Sequence, residues 1–300
     1  MILAPADAPA SVRKRSDRPV LRMGRAAGRV FPERGTYEFE PARLQVIADH
    51  QASFGLPPID HEKVSAQLAS GGLHSFIAMG ERLLADVPGL PDLDVVVLAH
   101  ETPDLDFSAS AACFLAYRCR GERTVAFSVS DQGVGAPFTA LRLVERMVAA
   151  GQARTGAVFV FDQNTLPFWD DRVHGAAVRD AGAAIVVGTG LDGPALASVW
   201  EVPVEPGRLA AEVGRVRREL PADRAVLLLG STLASCAREL GAGGDEVRVA
   251  PERHLCTATW LELAGHDRRQ DAALLLADYD PATGRLHAAG FLPGPEEEAS

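Results

Sequence analysis

The chain has 300 residues, 47% of them hydrophobic, and a formal net charge of −10, so it can bury a large core and its body is not expected to be disordered. No apolar run reaches the roughly 18 uninterrupted residues that a membrane-spanning helix needs, and no long apolar stretch follows the basic start, so neither membrane insertion nor export is expected. The negative charge repels nucleic acid, anionic lipid and acidic carrier proteins at long range, and any such partner would need a local basic patch.

Residues 1–28 carry Arg13, Lys14, Arg15, Arg18, Arg22 and Arg25 among prolines and alanines, and read as a flexible basic leader. A weakly alternating strand is expected over 29–40, and helical patterns cover 41–54 and 59–87, with apolar positions at Val64, Leu68, Leu73, Phe76, Ile77, Leu83 and Leu84. The clearest element is Leu93-Asp94-Val95-Val96-Val97-Leu98-Ala99, a short apolar run of the kind buried on both faces of a sheet. Similar runs recur at 124–129, 157–161, 183–187, 225–229 and 272–277, with helical segments at 107–117, 137–150 and 231–240. Strands alternating with helices of this length predict an α/β fold with a mostly parallel, helix-covered sheet.

Further along, Arg215-Val216-Arg217-Arg218 reads as the solvated end of a helix. The runs 272–277 and 285–291 are joined by Asp280-Pro281-Ala282-Thr283-Gly284, a closing hairpin. Residues 294–300 form an acidic tail. The length suits one large domain or two fused similar halves, which would fall at 29–190 and 191–293.

Four cysteines (Cys113, Cys119, Cys236, Cys256) show no C-x-x-C pair and no disulfide density, which fits reduced thiols in a cytoplasm. The histidines have no metal-ligand spacing, so no metal is expected. Gly188-Thr189-Gly190-Leu191-Asp192-Gly193 matches G-x-G-x-x-G, but Pro194 and the early Pro203 and Pro206 leave no good helix N-terminus for a pyrophosphate; the segment reads as a loop between halves.

The informative segment is Ser130-Asp131-Gln132-Gly133-Val134-Gly135, a turn between a buried strand and a helix starting near Pro137. Such a turn aims side chains and free helix N–H groups into one space, where a thiol is acidified and an oxyanion is stabilised. No cysteine stands there. Ser130, Asp131 and Gln132 are the polar candidates, no base can be assigned to them from local spacing, and Ser130 or Asp131 reads most simply as a helix cap.

In several motifs the chain resembles the thiolase superfamily, specifically the ketoacyl synthase III type of condensing enzyme. Leu98-Ala99-His100-Glu101-Thr102-Pro103-Asp104 resembles that family's Thr-Thr-Thr-Pro-Asp stretch, and Phe127-Ser128-Val129-Ser130 its Phe-Asp-Ile-Ser approach to the catalytic cysteine. Ala150-Gly151-Gln152 with the following strand is similar to its Ser-Gly-x turn. Arg179-Asp180-Ala181-Gly182-Ala183-Ala184-Ile185-Val186 resembles its Gly-Asp-Gly-Ala-Gly-Ala-Ala-Val stretch. The likeness covers roughly residues 90 to 292 and implies a thiolase-like fold of two βα halves in layers.

The family holds an acyl group on a cysteine and polarises a malonyl thioester with a histidine and an asparagine. Here the cysteine slot falls at Gly133 or Val134, the histidine slot at Gly230 or Ser231, and the asparagine slot near Cys256 in His254-Leu255-Cys256-Thr257. All three depart from the family, so Cys-dependent condensation is not expected. His254 and Cys256 are two apart in a loop, too close in sequence for their reactive atoms to meet readily.

The resemblance implies a non-condensing subunit paired with an active ketosynthase homologue in a fatty-acid, polyketide or alkylquinolone-type pathway. The alternatives are an acyltransferase using Ser130, Ser231 or Cys256, and an acyl-ligand-binding scaffold. No resident cofactor is expected, with acyl-CoA or acyl carrier protein thioesters as substrate or ligand. A homodimer or heterodimer would form through the strand at 124–129. Phe168 and Trp169 read as an apolar wall facing a partner.

Overall fold

The computed structural model describes residues 19–38, 45–46, 48–49, 52–53, 60–106, 108–119, 123–166, 168–266 and 272–294. Most of the leader, the acidic tail after residue 294 and most of the helix expected at 41–54 lie outside them.

Among the described residues, ten strands make one mixed sheet. β1 (Arg22–Val30), β2 (Val95–His100), β3 (Val125–Val129), β4 (Thr155–Asp162) and β5 (Ala181–Gly188) come first in the chain; β6 (Ala195–Pro203), β7 (Ala225–Leu229), β8 (Glu246–Val249), β9 (Ala273–Asp280) and β10 (Arg285–Leu292) follow. Their spatial order is β3-β2-β4-β5-β1-β6-β10-β9-β7-β8. From the middle outward, each group of five therefore repeats one plan: first, fifth, fourth, second, third. In both groups the second strand lies parallel between the third and fourth, and the fifth runs antiparallel between the fourth and first. The groups join where Arg22 of β1 pairs with Ala195 of β6.

Alternation along each strand divides the core into layers. Val95, Val97, Val158, Val160, Val226, Leu228, Leu274 and Leu276 face a central layer that they share with α4 (Ala136–Ala149) and α8 (Ala258–Gly265), one helix from each half. The opposite residues of the first group, such as Val96, Leu98 and Phe159, pack under α2 (Phe76–Asp86) and α3 (Ala111–Arg118). Those of the second group, Leu227 and Leu275 among them, pack under α6 (Leu209–Glu219). Strands covered on both faces explain the unbroken apolar runs in the sequence.

Local chemistry corrects several expectations. β1 starts at Arg22, inside the span read as leader: Met23 and Ala27 are buried, while Arg22 reaches out to the Gly193 carbonyl at 3.1 Å. The arginines hid a strand whose inward residues are small or flexible. The helical pattern over 59–87 is two helices, α1 (His61–Ser70) and α2, capped separately by Asp60 and Ser75, whose side chains accept from Lys63 N and Ala78 N. Leu73, at φ 53°, turns the chain between them.

Residues 231–240 form a 3₁₀ turn, Ser231–Cys236, and then the short α7 (Ala237–Gly241). The basic end of α6 is tied down rather than merely solvated, since Arg217 pairs with Asp245 at 2.7 Å. β6 gave no apolar run because it is half-exposed along its whole length.

Phe138, on α4 and 1% exposed, sets its ring against Trp260 of α8 at 5.2 Å and His287 of β10 at 6.0 Å. It ties the two central helices together. Phe138→Ala is expected to lower the unfolding free energy by about 3–5 kcal/mol, read as a lower urea midpoint with an unchanged slope.

Candidate functional site

β2 runs parallel to β4 and β7 to β9, and the ends of these strands meet near the N-terminal turns of α4 and α8. Four carboxylates gather at those ends: Glu101 just after β2, Asp162 closing β4, and Asp278 and Asp280 closing β9. Asp162 is 0% exposed, Asp278 3% and Asp280 7%. Each of the three expected catalytic slots faces one or more of these acids.

At the first slot, Asp131 and Gly133 both take positive φ, 59° and 51°. Ser130 Oγ donates to Asp131 Oδ2 at 2.8 Å, and Thr139 Oγ1 donates to Gln132 Oε1 at 2.6 Å. Neither Ser130 nor Asp131 caps the helix as expected; the 3₁₀ turn Gly133–Gly135 and α4 have no side-chain cap, and Val134 sits half-buried in that turn. The Gly133 N–H instead donates to Glu101 Oε2 at 2.6 Å. Arg172, on the short α5 (Asp171–His174), holds Glu101 from outside at 2.6 Å and Asp170 at 2.7 Å. A side chain at Gly133 would put its Cβ 2.6 Å from Asp280 Oδ2, and one at Gly135 would put it 2.7 Å from His287 Nε2. The space in front of the turn is filled by this chain's own polar groups.

The second slot repeats this arrangement. A Cβ on Gly230 would collide with Asp278 Oδ1. That oxygen accepts from Thr232 Oγ1 at 2.9 Å and from Tyr279 N–H at 2.9 Å. Ser231 opens the 3₁₀ turn half-exposed, with no hydrogen bond placing it as a nucleophile.

At the third slot, Asp162 accepts from the Leu255, Cys256 and Thr257 N–H groups at 2.7, 2.9 and 3.2 Å, and from Thr257 Oγ1 at 2.5 Å. The Cys256 thiol donates to the Phe161 carbonyl at 3.5 Å and to Asp162 Oδ1 at 3.3 Å. Burial first, then the Asp162 carboxylate, pushes this thiol well above its ordinary range, so it stays protonated. His254 is not its hydrogen-bond partner: Nδ1 has none, and burial pulls the imidazole below its ordinary value.

Sequence reasoning named the expected slots but not the acids that face them. Asp162, Asp278, Asp280 and His287 are the residues it missed. The available signal was an aspartate ending an otherwise apolar buried strand, in β4 and again in β9. Among the described residues, no group of three or more His, Cys, Asp or Glu is arranged to hold a metal ion, and no helix is long and apolar enough to cross a membrane. Of the two expected wall aromatics, Phe168 packs on Leu166, Val173 and Val178, while Trp169 stays 45% exposed and stacks on His174 at 4.7 Å.

No protein-family model matches the chain, and no curated protein matches it in sequence. Solved structures do. A tetronic acid condensing enzyme, AbyA1, is 16% identical, over 91% of this chain and 99% of that one, with a TM-score of 0.64. The 3-oxoacyl-(acyl carrier protein) synthase III, FabH, of Pseudomonas aeruginosa PAO1 is 16% identical, over 92% and 99%, with a TM-score of 0.60. Cerulenin-bound OleA of Xanthomonas campestris is 12% identical, over 91% and 98%, with a TM-score of 0.61. The fold is therefore thiolase-like, of the ketoacyl synthase III kind.

Two substitutions probe this packing. Asp162→Ala strips the partner from three N–H groups, two of them buried, and from one hydroxyl, and is expected to cost about 3 kcal/mol or more in a denaturant titration. Gly133→Cys places a thiol on the turn but meets Asp280 and a positive φ. It should destabilise the fold by about 1–3 kcal/mol and leave a thiol that alkylates no faster than a free cysteine.

Proposed function

We propose that the chain is a non-condensing, ketoacyl synthase III-like subunit that pairs with a catalytically intact homologue of the same fold. The observation that carries this reading is that carboxylates lie against each of the expected slots: Asp280 at Gly133, Asp278 at Gly230 and Asp162 at Cys256. A lost cysteine alone would leave a vacant cradle. Here two glycines make room for aspartates from β9, and a cluster of acids disfavours an anionic malonyl group. In this reading, acyl-CoA or carrier-bound thioesters are processed by the partner subunit.

The sheet edges support a pairing role. The β8 edge carries Glu246 and Arg248, ion-paired at 2.6 Å. Charge of this kind guards an edge against association. The β3 edge reads Val125-Ala126-Phe127-Ser128-Val129 with no charge, and Val125 is 50% exposed. An uncharged, apolar edge strand is a template for a strand from another chain.

Co-expression with a thiolase-fold homologue that has its cysteine, histidine and asparagine intact, followed by native mass spectrometry, tests the proposal. A stoichiometric heteromer is expected, and Val125→Lys should weaken it about tenfold or more, about 1.4 kcal/mol, without unfolding the subunit. Only separate homo-oligomers would overturn it.

A further inference from the structure

Asp278 has surroundings that the pairing proposal does not use. From its own strand it faces Asp280, and from β4 Asp162; both act on it electrostatically. Its register partner on β10 is His287, and beyond that on β6 lies Glu201, tied to Arg142 and Arg285 at 3.1 and 2.9 Å. From the loop it faces Gly230 and Thr232. Among the described residues no cation pairs with it. The 3₁₀ turn Ser231–Cys236 lies against it through Gly230 and Thr232, with Thr232 exposed and no side-chain cap on the turn. Its i→i+3 hydrogen bonds have poorer geometry than those of an α-helix, and the buried Leu233 and Cys236 are its anchors in the core.

We propose that Asp278 is a proton-operated latch on the segment Gly230–Cys236, which is closed while the carboxyl is neutral and released when it ionises. A neutral carboxyl can lie against the Gly230 backbone in the apolar layer. A carboxylate beside two other acids needs water, and lifting the 3₁₀ turn supplies it.

Burial first, and then Asp162 and Asp280, raise Asp278 from 3.8 to about 7, against the Thr232 hydroxyl and the Tyr279 N–H, which favour the ionised form. The value in the closed form lies above the unfolded one. The contribution of this group to closure is therefore full at low pH and lost as pH rises through about 7. Burial pushes His287 below its ordinary 6.5, against Glu201 and Asp280, and so favours its neutral form.

Hydrogen–deuterium exchange of peptides spanning 226–240, corrected for the intrinsic pH dependence of exchange, tests the latch. Between pH 6 and pH 8 their protection should fall about tenfold, following the ionised fraction of one group, while peptides from β2 (Val95–His100) keep theirs. Asp278→Asn should remove the fall. Thr232→Val, which removes a donor to the carboxylate, should move the midpoint to higher pH and serves if the first variant does not fold. Equal corrected protection at the two pH values, the same fall in Asp278→Asn, or an equal fall in β2 would each overturn the proposal. The measurement is made on the isolated chain, so its outcome is independent of heteromer formation.

Discussion

The carboxylate of Asp162 is the interaction on which the arrangement of the two halves depends. It closes the fourth strand of the first half, yet its hydrogen bonds go to Leu255, Cys256 and Thr257, the residues that lead into α8 in the second half. A buried carboxylate satisfied by several N–H donors at a helix start gains from both hydrogen bonding and the helix dipole. Because both halves follow the same strand plan, the corresponding position in the second half is the end of β9, and Asp280 there lies against Gly133 at the start of α4. Each half thus sends an aspartate from the end of its fourth strand to the helix-start loop of the other.

That reciprocity determines the chemistry of the central layer. A thiol nucleophile needs an open space, a base and free N–H donors before it. Here the Gly133 N–H is taken by Glu101, the space is taken by Asp280, and the one cysteine at a slot is fully buried and protonated. Arg172 meets Glu101 only at the surface, where its guanidinium is 62% exposed. The layer is built to hold carboxylates in place.

Much of the fold was legible in the sequence because strands covered on both faces read as continuous apolar runs, as in 157–161 and 183–187. β6 was not, since its half-exposed residues mix Ala, Ser, Trp and Glu without a run, and β1 was masked by Arg22, Arg25 and Arg29. The strand-to-helix turn was placed correctly. The two positions offered for the cysteine slot differ in the structure: within the one 3₁₀ turn, Gly133 has the positive φ and faces Asp280, whereas Val134 does neither. The acids that fill the site were not legible because they converge from β4 and β9, more than a hundred residues apart. A lone aspartate at a strand end says nothing of its distant partner.

The proposal that this is a non-condensing subunit, its central layer filled by its own carboxylates, is tested most directly by intact-protein mass spectrometry after incubation with a panel of acyl-CoA and acyl carrier protein thioesters. The account predicts an unchanged mass with every donor. A stoichiometric acyl adduct mapping to Ser130, Ser231 or Cys256 would contradict it.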